Sequence, residues 1–484
     1  MLFNSVSYLV FLPFVTIILF LVPGKFQWLW ILASSTVFYY MLLPQYLVVF
    51  FALIPLNYYL GLRIGNAGMN KQKVFNIALV INLVVLALFK YSGILDSLFD
   101  SILSHPRSDT FWRIILPIGL SYFIFTILSY LIELKRGTIP PEKHIGIFAA
   151  YLMFFPKILQ GPIERPGKII QQFRGDKHFD YDRIVEGLKI MLWGYFKKLV
   201  VADRLAIYVN AVYGNADQHN GSTLSVATFF YAFQIYADFS GYTDIAIGSA
   251  KIMGFELTNN FKRPYFSTSI KEFWNRWHIS FSSWLRDYLF LPLAYYFSGK
   301  MKDEKYLGIE TEKWIFLFSS LITFAICGIW HGEGMNFLVW GLLFGFYLSY
   351  SNWTAGISKN LRKIFHISKK SAYYTAYKII LTFLLVCIAF VFFRANDLDD
   401  AFIILRKIVL SRGEIFIGEW QQFIFGICGI IILIAAEAIQ EFSKVTLPYK
   451  SRFWLKEQFV YLSLLFLIIF IGVFDGGQFI YFKF

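Results

Sequence analysis

Charge is scarce in this chain of 484 residues. Asp, Glu, Lys and Arg make up 16% of it, against about 25% in soluble domains. That scarcity argues against a soluble enzyme, a disordered chain and a fibre. Cysteine is scarcer still. Cys327, Cys387 and Cys428 each sit inside an apolar run. They form no C-x-x-C pair and no zinc-type spacing, so neither a disulfide framework nor a metal site is expected. There is no P-loop, no G-x-G-x-x-G and no H-E-x-x-H. Ser282 and Ser283 are nucleophiles by type only, with no G-x-S-x-G elbow around them. ATP hydrolysis, nicotinamide chemistry and zinc proteolysis therefore have no support. The first apolar run, Val6–Val22, lacks a basic n-region and is followed at once by another apolar run, so it reads as a span rather than a cleavable signal. No strong internal repeat, low-complexity tract or separate soluble domain stands out.

What the chain does have is apolar surface: 57% hydrophobic and 20% aromatic residues, with a mean hydropathy of +0.56. That suits an all-α polytopic membrane protein, since each crossing takes about 20 apolar residues. Apolar segments fall at 6–22, 28–43, 45–61, 74–91, 112–133, 145–162, 184–212, 223–253, 314–331, 336–352, 376–394, 421–441 and 457–474. Lys+Arg 45 against Asp+Glu 31 leaves a net charge of +14. The excess lies between apolar runs, so it reads as a topology signal and not as a nucleic-acid footprint. Basic loops at 62–73, 134–144, 353–375 and 442–456 are cytoplasmic by the positive-inside rule. The acidic stretch with Asp96, Asp100 and Asp109, and the loop 213–222, face outside. Parity then requires one segment between 134 and 222 not to cross. Segment 145–162 contains Pro156 and ends Gln160-Gly161-Pro162, so it is the re-entrant candidate. The expectation is about twelve crossings with both termini outside.

Residues 256–313 break this pattern. They mix Lys262, Arg263, Lys271, Arg276, Arg286, Lys300, Lys302 and Lys305 with many aromatics. On a helix over 271–288, at about 100° per residue, Phe273, Trp274, Trp277, Phe281, Trp284 and Tyr288 share one face. Glu272, Asn275, Ser283 and Arg286 lie opposite, and His278 sits at the aromatic flank. Two readings stay open: an interfacial anchor on the inner leaflet, or a helix dipping inward to line a cavity. Pro264 and Pro292 favour short, broken helices over one rod.

Polar groups inside apolar runs are the next signal. His331 ends one, in Cys327-Gly328-Ile329-Trp330-His331-Gly332. It could simply cap a helix. An ionisable group beside hydrocarbon is also a functional-site hypothesis, and imidazole suits proton transfer near neutral pH. Asp238 and Asp244 lie about 120° apart on a helix, so they do not converge as a dyad. The preferred reading is structural pairing with Arg or Trp partners, and the runner-up is cation coupling in a transporter. The aromatic ending Phe479-Ile480-Tyr481-Phe482 is costly to leave in water and is expected to dock on the outer side or anchor at the interface.

The runs Phe273-Trp274-Asn275-Arg276-Trp277-His278-Ile279-Ser280 and Trp284-Leu285-Arg286-Asp287-Tyr288-Leu289 resemble the signature of the membrane-bound O-acyltransferases, in the bacterial branch with the alginate O-acetylation membrane subunit. Gly161-Pro162-Ile163-Glu164-Arg165, Asp238-Phe239-Ser240-Gly241-Tyr242-Thr243-Asp244, Gly328-Ile329-Trp330-His331-Gly332 and the aromatic ending agree in order. The resemblance runs nearly end to end. It implies one membrane-embedded acyltransferase domain over 1–484, with re-entrant and amphipathic helices around a central funnel. Residues 1–144 would be N-terminal spans, 145–353 the catalytic core with its amphipathic 256–313, and 354–484 C-terminal spans with the docked tail.

The same resemblance implies His331 as general base and His278 as the group that positions the acyl donor or stabilises charge. Trp274, Asn275, Trp277, Ser280, Arg286, Asp287, Trp330 and Asn336 would line the substrate tunnel. Asp238 and Asp244 would be structural, and no metal or bound cofactor is implied. The donor would be acetyl-CoA or an acyl carrier protein thioester. The acceptor would be an exported polysaccharide or cell-wall glycan, reached through an extracytoplasmic acetyltransferase-like partner protein. The setting would be the bacterial cytoplasmic (inner) membrane, with the lipid bilayer as partner and no nucleic acid. In related teichoic-acid D-alanylation systems a small partner carries a similar F-I-Y ending, which makes Tyr481 a candidate covalent acyl carrier. Where the alginate branch often has a Gly-Gly pair, this chain has Leu291-Pro292-Leu293-Ala294-Tyr295-Tyr296. Glu333-Gly334-Met335-Asn336 after W-H-G departs as well, so alginate itself is not implied as acceptor. A transporter or flippase, or a scaffold for glycan export, are the alternatives. Neither accounts for the two-histidine motif set.

Overall fold

A computed structural model describes residues 1–66, 68, 70–93, 117–364, 366–368, 371–443 and 453–474. The acidic stretch at 96–109, much of the basic loop at 442–456, Lys369, Lys370 and the tail with Tyr481 lie outside the described residues. Among the described residues the regular structure is helical apart from one two-residue antiparallel pair, β1 (Lys305–Tyr306) with β2 (Ile309–Glu310).

Six described helices are long and apolar enough to cross a membrane: Pro44–Asn66, Lys71–Lys90, Thr311–His331, Ala372–Arg394, Trp420–Phe442 and Trp454–Ile471. Val6–Leu21 is apolar but shorter. Large side chains such as Phe470, Phe459 and Val6 are exposed on these helices, as expected of surfaces that face lipid rather than water.

The chain divides into two compact units, one of 1–191 with 243–258 and the other of 192–242 with 259–484. The first holds α1 (Val6–Leu21), α2 (Gly24–Tyr40), α3 (Leu47–Asn66), α4 (Lys71–Lys90), α5 (Leu120–Arg136), α6 (Ile145–Met153), α7 (Phe155–Ile158) and α8 (Pro166–Gln172). Within it Asn57 on α3 and Asn82 on α4 exchange side-chain hydrogen bonds of 3.2 and 2.7 Å. This pairing satisfies two buried amides that would otherwise cost about 1–3 kcal/mol each. The segment expected to re-enter is two short helices, α6 and α7, broken at Phe154 before Pro156. Its residues 146–161 are buried. At about 1.5 Å per residue neither piece reaches across a bilayer.

The second unit takes over within α9 (Tyr181–Tyr195), continues through a π-helical turn at Phe196–Ala202 into α10 (Asp203–Tyr213), and includes most of α11 (Gly221–Ile252). Then come α12 (Ile270–Arg276), α13 (Ile279–Leu285), a second π-helical turn at Arg286–Phe290 and α14 (Leu291–Lys300). The hairpin α15 (Thr311–His331) and α16 (Met335–Trp353) follows, then α17 (Ala355–Ile364), α18 (Ala372–Arg394), α19 (Leu398–Leu410), α20 (Trp420–Phe442) and α21 (Trp454–Ile471).

The single helix expected over 271–288 is corrected to these pieces. Trp277 is extended and His278 is left-handed, at φ 43°. Even so, Phe273, Trp274, Trp277, Phe281, Trp284 and Tyr288 are all buried, and Asn275 and Arg286 are exposed. The inward reading of this stretch, not the interfacial one, describes its burial.

Candidate active site

Each piece of the aromatic stretch is fixed locally. Ser269 caps α12 by accepting the Glu272 N–H at 3.2 Å, and the Glu272 carboxylate accepts the Thr268 N–H at 2.8 Å, a variant of the capping box. Arg276 and Arg263 donate to Glu441 on α20 at 2.8 and 2.7 Å. Two of the basic residues in 256–313 are thus committed to carboxylates. Burial alone would raise the Glu272 carboxyl's pKa. Hydrogen bonds from Thr268 and the Arg276 guanidinium outweigh it and hold the group below its ordinary value.

The break at His278 is clamped by Asn260. Its carbonyl accepts the Ile279 N–H at 2.9 Å, and its side-chain oxygen accepts the Ser280 N–H at 3.1 Å. A left-handed conformation in a non-glycine residue costs about 1–2 kcal/mol, so the clamp holds strain that turns the imidazole inward. The ring lies 4.7 Å from Phe239 and 5.1 Å from Phe281. Burial lowers its pKa from 6.5 to about 3, so the imidazole is neutral at physiological pH.

His331 arrives by a different route. It is the last residue of α15, and α16 folds straight back. A Cβ at Gly341 would stand 2.1 Å from the Phe324 carbonyl oxygen, and one at Gly328 would stand 2.3 Å from that of Phe337. Only glycine allows the two backbones so close. That approach sets Trp340 beside His331, ring centroids 4.9 Å apart at 84°. Asn336 donates to the Phe392 and Ala395 carbonyls at 3.1 and 3.2 Å, which ties the start of α16 to the end of α18. Phe393 on α18 then lies 5.0 Å from His331.

The two imidazoles line one cavity with Phe273, Trp274, Trp277, Phe281, Trp340, Phe344, Phe390 and Phe393. It holds about 10 Å³ of space for water-sized molecules, room for roughly one water. The indole N–H groups of Trp274 and Trp340 are buried and, among the described residues, donate to no acceptor.

Of the expected site residues, Trp274, Trp277, His278 and His331 meet at this cavity. Trp330 lies next to it, 4.7 Å from Phe281 and 4.5 Å from His331. Ser280 and Asn336 are buried in the supporting hydrogen bonds just described. Asn275 and Arg286 are exposed on the opposite side, and Arg286 pairs with its neighbour Asp287 at 2.8 Å. Trp340, Phe344, Phe390, Phe393 and the clamp Asn260 were not foreseen. The spacing Gly341-x-x-x-Gly345 was the one sequence signal for the α15–α16 approach.

Asp238 is buried and paired, but with a lysine instead of the expected Arg or Trp. Lys198 donates to it at 2.7 Å and stands 2.9 Å from Asp203. Asp244 is half-buried further along α11. Among the described residues no group of three or more His, Cys, Asp or Glu could hold a metal ion.

A family model described as MBOAT, the membrane-bound O-acyltransferase family, matches residues 144–394, a stretch that includes both histidines and the whole cavity. This chain belongs to the membrane-bound O-acyltransferase family. Among relatives in this family, it is 34% identical to "Probable alginate O-acetylase AlgI" of Azotobacter vinelandii over 83% of this chain and 76% of that one. It is 29% identical to "Peptidoglycan O-acetyltransferase" of Helicobacter pylori, over 80% of this chain and 75% of that one. It is 27% identical to "Teichoic acid D-alanyltransferase" of Bacillus subtilis, over 60% and 72%. The protein is a membrane O-acyltransferase, and its apolar helices make it multi-pass. Family membership favours acyl transfer over the transporter and scaffold alternatives.

Proposed function

We propose that this enzyme passes an acetyl group from a cytoplasmic thioester, acetyl-CoA or a loaded acyl carrier protein, to an acceptor on the outer side. The product is O-acetylation of an exported polysaccharide or cell-wall glycan. The observation that carries this reading is the meeting of the two motif histidines in one apolar cavity. His331 serves as the base that deprotonates the attacking hydroxyl. His278, neutral and held by its clamp, positions the donor.

The proposed setting is the bacterial cytoplasmic membrane, crossed about twelve times by the loop-charge count. An extracytoplasmic acetyltransferase-like partner completes delivery to the glycan. Tyr481, on the same side as His331 by that count, is the proposed transient carrier. A tyrosine ester would divide the transfer into two steps.

The test is acetyl transfer by the full chain in proteoliposomes, with radiolabelled acetyl-CoA on the cytoplasmic face and glycan oligosaccharides on the other. Label on the glycan or the protein, lost in a folded His331→Ala variant, is the expected result. Equal label with and without His331 would overturn the assignment of the base. Trapped protein digested for mass spectrometry should show acetyl on Tyr481, and its absence would remove the carrier step.

A further inference from the structure

We propose that the indole N–H groups of Trp274 and Trp340 hold the carbonyl oxygen of the acyl donor and stabilise the oxyanion that forms there. This inference rests on the acyl-transfer reading above.

Three observations converge on it. Both indoles line the histidine cavity. Both residues are more than nine-tenths buried, at 7% and 3% exposure, and neither N–H has an acceptor among the described residues. What sets these two donors apart is that they share the cavity that both histidines line, where a ligand oxygen can reach them. The two rings come from different elements, α12 and α16, with centroids 6.1 Å apart at 73°. Trp340 in turn stands against His331. An oxygen taken by the indoles therefore lies beside the proposed base.

The rest of the lining narrows the choice. The five phenylalanines offer no donor, and of the three lining indoles Trp274 and Trp340 are the two whose N–H is fully buried without an acceptor among the described residues. Indole donates and cannot accept, so it does not compete with imidazole for the acceptor's proton. In so apolar a site a neutral N–H dipole aimed at developing charge is worth far more than in water.

The step balances without a further reactant. The acceptor hydroxyl oxygen attacks the thioester carbonyl carbon and a C–O bond forms. The carbonyl π pair moves onto oxygen, where the indoles receive it, and the hydroxyl proton passes to the His331 imidazole. Collapse of the oxyanion breaks the C–S bond, and the leaving thiolate takes that proton back from the imidazolium. The products are an acetyl ester and a free thiol.

The test uses the full chain in proteoliposomes. Trp274→Phe and Trp340→Phe keep a ring and remove the donor, and Trp340→His restores a ring N–H. Each phenylalanine variant should lose about 100-fold in kcat while KM for acetyl-CoA stays near the parent's, and the histidine variant should recover part of the loss. A second readout needs no turnover. A CoA analogue with CH2 in place of the thioester sulfur, labelled with 13C at its carbonyl, is bound to the parent and its C=O stretch is read by difference infrared. The stretch should fall below its value in an apolar solvent, and rise again in the phenylalanine variants. A parent stretch no lower than in the apolar solvent overturns the inference. So does acetyl transfer at the parent's kcat by either phenylalanine variant. If the parent transfers no acetyl group from any thioester, the acyl-transfer reading fails and this inference falls with it.

Discussion

Two places in the second unit bury polar groups, and they treat them in opposite ways. Around the first π-helical turn Lys198 is 1% exposed and is met by two carboxylates, at 2.7 and 2.9 Å. At the histidine cavity, two indole donors line space for about one water and donate to nothing in the described chain. A buried charge with partners holds a fold together. On the proposed reading, a buried donor without one, beside the proposed base, waits for a substrate. The first arrangement is costly to break, and the second is where the proposed chemistry would sit.

The largest effect that would separate the two is on catalysis. Replacing His331 by Ala should lower kcat for acetyl transfer by about 10²–10⁴-fold, with the thermal midpoint in detergent near the parent's. A midpoint that collapses with activity would make His331 structural and remove the contrast. Next comes Lys198→Met, which leaves two carboxylates facing each other in the interior. It should cost about 3–5 kcal/mol of stability, seen as a lower midpoint and poor yield. Adding Asp238→Leu to it should restore part of the loss, because the pair acts as a unit. No recovery would mean that the ion pair is not what Asp238 contributes.

Asn260→Ala should do something intermediate. It strands the Ser280 N–H, at about 1–3 kcal/mol, and releases the left-handed turn at His278. Activity should fall more than the midpoint does, and Asn260→Asp should retain more activity than the alanine.

The smallest effect is in pH. His278 is neutral in the fold, with its pKa lowered by burial to about 3, while the unfolded chain binds a proton near the ordinary value of about 6.5. Stability should therefore be full above about 6.5 and decline as pH falls towards 3. Midpoints taken between pH 7 and 5 should fall less steeply in His278→Gln than in the parent. Equal slopes would place the acid sensitivity elsewhere.

These contrasts were legible in the sequence only in part. The inward face of 271–288 could be read from periodicity even though the helix is broken, because α13 resumes with its aromatics still turned inward. The break itself could not be read. Its left-handed residue is a histidine, not a glycine, and the clamp that holds it sits at Asn260, outside the local pattern. His331 stood out because an ionisable side chain at the end of an apolar run is expensive, and His278 because it flanks an aromatic face within a family-like motif. Trp340 did not, since one more tryptophan in an apolar helix looks like any lipid-facing residue until Gly328 and Gly341 bring α15 and α16 together. Asn275 and Arg286 belong to the same signature runs as His278, yet they face away from the cavity. Periodicity had already set both opposite the aromatic face, and it was the motif resemblance that counted them as tunnel residues. Lys198 went unnoticed as the partner of Asp238 because nothing local links positions that meet through tertiary packing.

A single-turnover experiment bears most directly on the idea that the histidine cavity is where the acyl group changes hands. The full chain in proteoliposomes is loaded with radiolabelled acetyl-CoA, and binding and transfer are followed separately in the parent and in His331→Ala. Donor binding that is preserved in the variant, with transfer to the acceptor lost, is the predicted result. Transfer at the parent's rate without His331 would contradict it and move the chemistry away from the cavity.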